Sequence, residues 1–234
     1  MAGFKNILLL LLTLGLTTGV FSAVQMKSGE PKIEAATFNR TGQETAPMIR
    51  FTPAQALMDE PITIRLSGLP PKKPLIVKAR MLLLGKTWQS QATFIADEHG
   101  RVDLGKQAPT GGSYPGVDPM GLFWSMTPDA AQTTPEQKAD VKVSDPVVTS
   151  FDVEMEGRTV ASASLTRWWA KPGVRVTEVR QDGLVGKFFE PQQQGRHPAV
   201  LVLSGSEGGI KELDAALLAS RGYAAFALAY FGTE

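Results

Sequence analysis

The sequence has no cysteine and only two histidines among its 234 residues. Without cysteine there is no disulfide and no lipid anchor on an N-terminal Cys, so any folded part is held by its apolar core alone. His99 sits in the turn Asp97-Glu98-His99-Gly100 and His197 precedes a proline in a polar loop. Neither has companions that would complete a metal site, so no metal and no cofactor are expected. Net charge is also scarce: 24 Lys and Arg against 23 Asp and Glu leave +1. No predicted helix carries a basic cluster, which sets nucleic acid aside as a partner. What is present is a globular composition, 43% hydrophobic and 20% charged, in a chain long enough for one large domain or two ordinary ones.

Lys5, the apolar stretch 7–16 and the small residues Thr17, Thr18, Gly19, Ser22 and Ala23 read as an export signal over residues 1–23, cleaved near Ala23. The expected location is therefore periplasmic or secreted. The rival reading is an uncleaved membrane anchor through residues 6–24, close to the ~20 residues a span needs, although its threonines and glycines weaken the second half. Residues 24–48 are polar and aperiodic and read as a linker.

From 49 to 171 short alternating segments are separated by turn residues. Residues 62–66 alternate strictly and end at Ser67-Gly68-Leu69-Pro70-Pro71; further strands are expected over 75–83, 88–95, 101–104, 147–153 and 159–168. Strands at this spacing, with a turn between each pair, predict an antiparallel β-sandwich. The long irregular piece 109–140 carries Tyr114, Met120, Leu122, Phe123 and Trp124, an apolar group expected to pack against a neighbouring domain, with Asp118 holding the loop in shape. Trp168 and Trp169 read as core or interface residues, and 136–140 as a charged, solvated face.

After Lys171-Pro172-Gly173 the pattern changes, and a second domain is placed over 172–234. Two alternating strands joined by Asp182-Gly183 form a hairpin. Then come an apolar run at 199–203, the turn Ser204-Gly205-Ser206-Glu207-Gly208-Gly209, and Ile210, Leu213, Leu217 and Leu218 at helical spacing. Gly222 marks the helix end, and a second apolar run follows at 224–229. This predicts a βαβ unit with two parallel strands, each buried on both faces.

The run 52–71 (TPAQALMDEPITIRLSGLPP), the strings Gly111-Gly112-Ser113-Tyr114 and Asp118-Pro119-Met120-Gly121-Leu122-Phe123-Trp124-Ser125-Met126, and the segments 217–223 and 227–232 together resemble the acyl-CoA thioesterase and bile acid-CoA:amino acid N-acyltransferase family. The resemblance implies an immunoglobulin-like sandwich followed by the opening of an α/β-hydrolase domain. It also implies acyl transfer from a thioester to water or an amino acid, through a Cys or Ser nucleophile with a His and an acid.

In that fold the nucleophile lies on a later strand-to-helix elbow and is followed by the acid and then the His. Ser206 imitates such an elbow, but Ser204 stands where the G-x-S-x-G pattern needs glycine, and both histidines precede it. The better role for this loop is half of an oxyanion hole, with the backbone amides of Ser206 and Glu207 as donors and Gly205, Gly208 and Gly209 allowing the turn and placing N–H groups at a helix start. The expectation is an N-terminal portion of an exported enzyme acting on an acyl thioester or ester, inactive alone and labile in its C-terminal third, with a membrane partner only if the signal segment stays uncleaved. The alternative is a non-catalytic sandwich that binds a partner and carries a vestigial hydrolase segment.

Overall fold

A computed structural model describes residues 46–83, 85–129 and 142–231. The expected signal segment, nearly all of the linker and the charged stretch 136–140 lie outside the described residues.

Ten strands form the first region: β1 Met48–Thr52, β2 Gln55–Leu57, β3 Thr63–Ser67, β4 Pro74–Leu83, β5 Lys86–Ile95, β6 Val102–Asp103, β7 Gly111–Gly112, β8 Thr127–Pro128, β9 Val147–Met155 and β10 Arg158–Trp168. They make two sheets, one of order β1-β3-β6 and one of order β2-β10-β9-β4-β5-β7 with β8 also on β5. Period-two alternation decides which side chains enter. Leu75, Val77, Ala79 and Met81 of β4 and Val147, Phe151 and Val153 of β9 point inward, and they meet Ile64 and Leu66 of the smaller sheet in a single core. Phe151 lies at its centre, 5.0 Å from the Phe51 ring and 5.7 Å from the Phe123 ring. Each such side chain, fully removed from water, contributes roughly 1.5–3 kcal/mol.

Two expectations change here. Pairing is not purely antiparallel, because β2 runs parallel to β10 with Ala56 opposite Arg167. The chain crosses between the two sheets after β1, which leaves β2 to enter the larger sheet beside its last strand. The apolar group of the long loop also serves its own region and not a neighbour: Tyr114, Leu122 and Phe123 are buried in the common core, while Trp124 is largely exposed. Asp118 does shape that loop. Its carboxylate accepts the Met120 amide at 2.7 Å and the Trp124 indole N–H at 2.9 Å, and its carbonyl accepts the Gly121 amide, which starts the short helix α1 Gly121–Trp124. Trp169 packs against the core from its margin, as expected of a core or interface residue.

The second sheet-forming region comprises β11 Arg175–Gln181, β12 Leu184–Glu190, β13 Ala199–Leu203, the helix α2 Glu212–Ser220 and β14 Ala224–Ala229, in the order β11-β12-β14-β13. β11 and β12 pair through the turn at Asp182 and Gly183, both in the left-handed region with φ of 51° and 77°. A two-residue turn of that shape matches the twist of the strands it joins. β14 pairs antiparallel with β12 and parallel with β13, which completes the expected parallel unit. Gly222, at φ 93°, ends α2 as expected.

The parallel strands are not buried on both faces. α2 covers one face only, where Ala225 and Ala227 of β14 meet Ala215, Ala216 and Ala219 of the helix. The leucines expected to form the helix's buried stripe are displaced by these alanines: Leu213 and Leu217 are half-buried, Leu218 packs at the margin, and Ile210 precedes the helix. Small side chains let the helix lie close to the sheet, and the larger ones are pushed to its flanks. On the other face Leu201 and Leu203 of β13 are 55% and 50% exposed. β13 is an edge strand with no neighbour on its outer side among the described residues.

The two regions touch. Arg221, just past α2, pairs with Asp59 at 2.7 Å, and the Ser220 hydroxyl accepts the Lys171 amide at 2.8 Å.

Candidate functional site

Parallel strands of an open sheet present ligands with the loops that follow their carboxyl ends, because there the backbone N–H groups are free and the chain reverses toward a helix. In this chain those ends are Leu203 of β13 and Ala229 of β14, and the two segments that follow close on each other. The Tyr230 hydroxyl donates to the Ser204 carbonyl at 3.4 Å, and the Gly209 amide donates to the Phe231 carbonyl at 3.4 Å. The Tyr230 and Phe231 rings stack edge to face, 4.5 Å between centroids.

Gly205, Ser206 and Glu207 stand exposed at the tip of the loop, and Gly208 and Gly209 are half-buried behind them. The Gly208 amide returns to the Gly205 carbonyl at 3.2 Å, so 205–208 is a tight turn. Gly208 has φ 67°, and a Cβ there would stand 3.1 Å from the Phe231 carbonyl oxygen; conformation and space both call for glycine. Ser206 lies at the crown of the turn, its amide unpaired among the described residues. The glycines do not lie at a helix start, however. α2 begins at Glu212, three residues beyond Gly209, so any donors of this loop come from the turn itself.

The side chains around the turn are charged. The Glu207 carboxylate pairs with the Lys211 ammonium, four residues on and just before α2. The hydrogen bond from Lys211 and its charge hold that carboxyl below the ordinary range. In return Glu207 raises Lys211. Ser204, beneath the loop, is buried, with a hydroxyl that has no partner among the described residues.

The remaining sequence candidates fall elsewhere. His99 sits in its hairpin turn, its amide bonded to the Asp97 carboxylate. His197 lies near the amino ends of β13 and β14, where its ring bonds the Gln193 carbonyl at 2.7 Å and lines a cavity of about 290 Å³ with Arg175, Phe188 and Glu190. Neither histidine is brought to the Ser206 turn. Sequence reading missed Lys211, Tyr230 and Phe231. No local pattern marks the first, because the left-handed Gly208 and Gly209 remove any helical spacing between Glu207 and Lys211; the other two are recruited by the pairing of β13 with β14.

The model of the acyl-CoA thioester hydrolase/BAAT N-terminal region matches residues 59–181, more than half of the chain. The chain belongs to this family. Its relatives include the human bile acid-CoA:amino acid N-acyltransferase, 42% identical over 192 residues that make up 78% of this chain and 46% of that protein. A mouse acyl-coenzyme A amino acid N-acyltransferase 2 is 38% identical over 78% of this chain and 45% of its own length. A rat acyl-coenzyme A thioesterase 1 is 36% identical over 75% and 43% respectively. The chain thus spans somewhat under half the length of the curated relatives it matches. The matched region runs from Asp59, in the turn before β3, to Gln181 at the end of β11, so it covers most of the β-rich region and the first strand of the second sheet.

Proposed function

We propose that this chain forms the N-terminal part of an acyl-CoA thioesterase or acyl-CoA N-acyltransferase. The first region, taken as residues 49–171, is its immunoglobulin-like domain, and the sheet β11-β12-β14-β13 opens its α/β-hydrolase domain over 172–234. The observation that carries this reading is the family match combined with the order of that sheet. An antiparallel hairpin leads into a parallel pair whose latest-entering strand, β14, sits inside β13, leaving β13 as the edge on which further strands add. The Cys or Ser nucleophile, the acid and the His then belong to residues other than those of this chain, which has no cysteine and whose histidines both lie far from the turn.

In this reading the turn after β13 supplies the oxyanion donors. Acyl transfer places negative charge on the carbonyl oxygen, and preorganised N–H groups facing that oxygen stabilise it where water is excluded. The Ser206 amide, at the crown of an exposed turn, has no partner among the described residues, and Glu207 has the next amide in the chain. Export through residues 1–23 is part of the proposal. Because the relatives are named for CoA thioesters, an exported member acts on whatever acyl ester or thioester its compartment holds.

The test begins with the reading frame after Glu234. A further strand ending in G-x-C-x-G or G-x-S-x-G, followed by an acid and a His, is expected. The protein of that frame should release thiol from acyl-CoA. Glu207→Pro, which deletes one donor amide, should lower kcat about 10²–10³-fold with little change in KM. A frame that closes at Glu234 with no thioester cleavage sinks the reading and turns attention to what the β-rich region binds.

A further inference from the structure

In β4, β5 and β9 the residues that alternate with the core positions point away from the core, and they form polar rows across the strands: Gln91, Lys78 and Asp152 in one, Gln89 and Arg80 in the next. A cavity of about 450 Å³ opens over these rows, and Glu154 lines it with them. That is room for a small ligand. Its walls stand at the outer edge of β5, where two short strands leave a gap between them: β7 ends opposite Ala92 and β8 begins opposite Gln89. Ser113 and Thr127 flank that gap and face the cavity. Ser113 is held twice, its hydroxyl accepting the Gln91 amide at 3.0 Å and its own amide donating to the Gln91 carbonyl at 2.8 Å. Gly112 permits this approach, since a Cβ there would stand 2.4 Å from the same carbonyl oxygen.

Two cations face two carboxylates here, and their pairings leave capacity over. Lys78 pairs with Glu154 at 2.7 Å and Asp152 accepts the Ser162 hydroxyl, which leaves each carboxylate a second oxygen without a partner among the described residues. Arg80 makes one long side-chain contact, 3.4 Å to Gln89, and the Gln91 side-chain amide makes none among the described residues. No apolar side chain larger than alanine lines the cavity, so an acyl chain gains nothing there. A free ion would meet a group of its own sign. A polyol fits, because each hydroxyl both donates and accepts: adjacent hydroxyls can donate to one carboxylate while another accepts from Arg80. We propose that this groove binds a neutral sugar through vicinal hydroxyls, with Asp152 and Glu154 as acceptors and Arg80 and Gln91 as donors. The groove belongs to a different sheet from the turn after β13, so its occupancy does not depend on the acyl-transfer reading.

The test uses the 234-residue chain with 15N label and titrates D-glucose, D-galactose and D-mannose separately, following the side-chain N–H signals of Gln89, Gln91 and Arg80 by NMR. At least one hexose should shift these signals saturably, whereas 2-propanol, which has no vicinal pair of hydroxyls, should not. Asp152→Asn and Arg80→Gln should each weaken the binding about tenfold, the loss expected for one charge-assisted hydrogen bond. The same hexose immobilised on agarose separates two sources of the ligand: retention of the chain assigns the groove to a sugar carried on a glycan, and binding in solution without retention assigns it to a free sugar. Signals that none of the three hexoses moves overturn the proposal and leave a solvated sheet face. Shifts that 2-propanol reproduces, or that persist at full affinity in both variants, overturn it as well. The first titration needs no substitution, so a variant that fails to fold leaves it decisive. Every arm reads sugar binding and not acyl transfer, whose failure shows separately as an unchanged kcat in Glu207→Pro.

Discussion

The two regions of this molecule bury their apolar residues in different ways. The β-rich region closes two sheets on large side chains: Phe94, Phe151, Ile62, Ile64, Leu75 and Leu165 are all fully enclosed. The four-stranded sheet rests on alanines, with Phe189 the sole large member of its buried cluster among the described residues. A buried methyl contributes about 0.8 kcal/mol, roughly a third of a large side chain, so the second cluster is the weaker for its number of residues. Leu201 and Leu203 on its β13 strand are exposed, and β13 has no neighbour on its outer side among the described residues. The first region is built to stand alone, whereas the second is built to be added to, and the candidate site belongs to the second. Loops at a sheet margin are free to bind because little else holds them.

The comparison is most severely tested by removing the centre of the stronger core. Phe151→Ala should cost about 3–5 kcal/mol, read as a lowered urea midpoint, since the cavity opens between Phe51 and Phe123 with no side chain able to fill it. By contrast Ala216→Gly, in the alanine core, should cost only about 1 kcal/mol, mostly as helix propensity. Equal losses at the two sites would erase the distinction. Amide exchange provides a second measure: β13, α2 and β14 should exchange well ahead of β4 and β9, and limited proteolysis should cut after residue 171 first. A chain protected evenly to its end would show that the second sheet is as closed as the first.

A smaller effect separates buried polar groups from apolar packing. The Tyr114 hydroxyl is buried with no partner among the described residues, and burial, with the Asp118 charge nearby, pushes its pKa up to about 12. A phenol held neutral in the folded state binds its proton more tightly than the unfolded chain does. Its contribution is therefore intact below about pH 10 and is lost as pH rises toward about 12. Tyr114→Phe should leave stability at neutral pH unchanged or up to about 1 kcal/mol higher, because an unpaired hydroxyl is removed, and should flatten the alkaline fall. The smallest effect is expected where the two regions meet. Arg221 and Asp59 form a half-exposed ion pair, and a double-mutant cycle should return about 0.2–1 kcal/mol, declining with salt. A larger coupling would mean that the regions depend on each other more than their separate cores imply.

Much of this was legible in the chain. The strands of the β-rich region and the Asp182-Gly183 hairpin follow from alternation and turn residues, which act over a few neighbours and leave a plain trace. What failed to show was anything decided across the chain. Ala199–Leu203 and a doubly buried central strand share one composition, and only the number of layers packed on the sheet tells them apart. The helix was placed by its leucines, yet the sheet selected its alanines, because the distance between helix and sheet is a property of both. Ser206, Glu207 and the glycines around them could be singled out as a turn, but not the convergence of Lys211, Tyr230 and Phe231 on that turn.

By itself the sequence determined the family, the succession of a β-rich region and a βαβ unit, and the turn on which the functional reading depends. Those are matters of local pattern and of long strings in order. Only the tertiary structure decided that β2 joins β10 in parallel, that β13 lies at an edge with its leucines exposed, and that Tyr230 and Phe231 close on the turn after β13. Each of these depends on what a residue meets across space, and no local pattern carries that information.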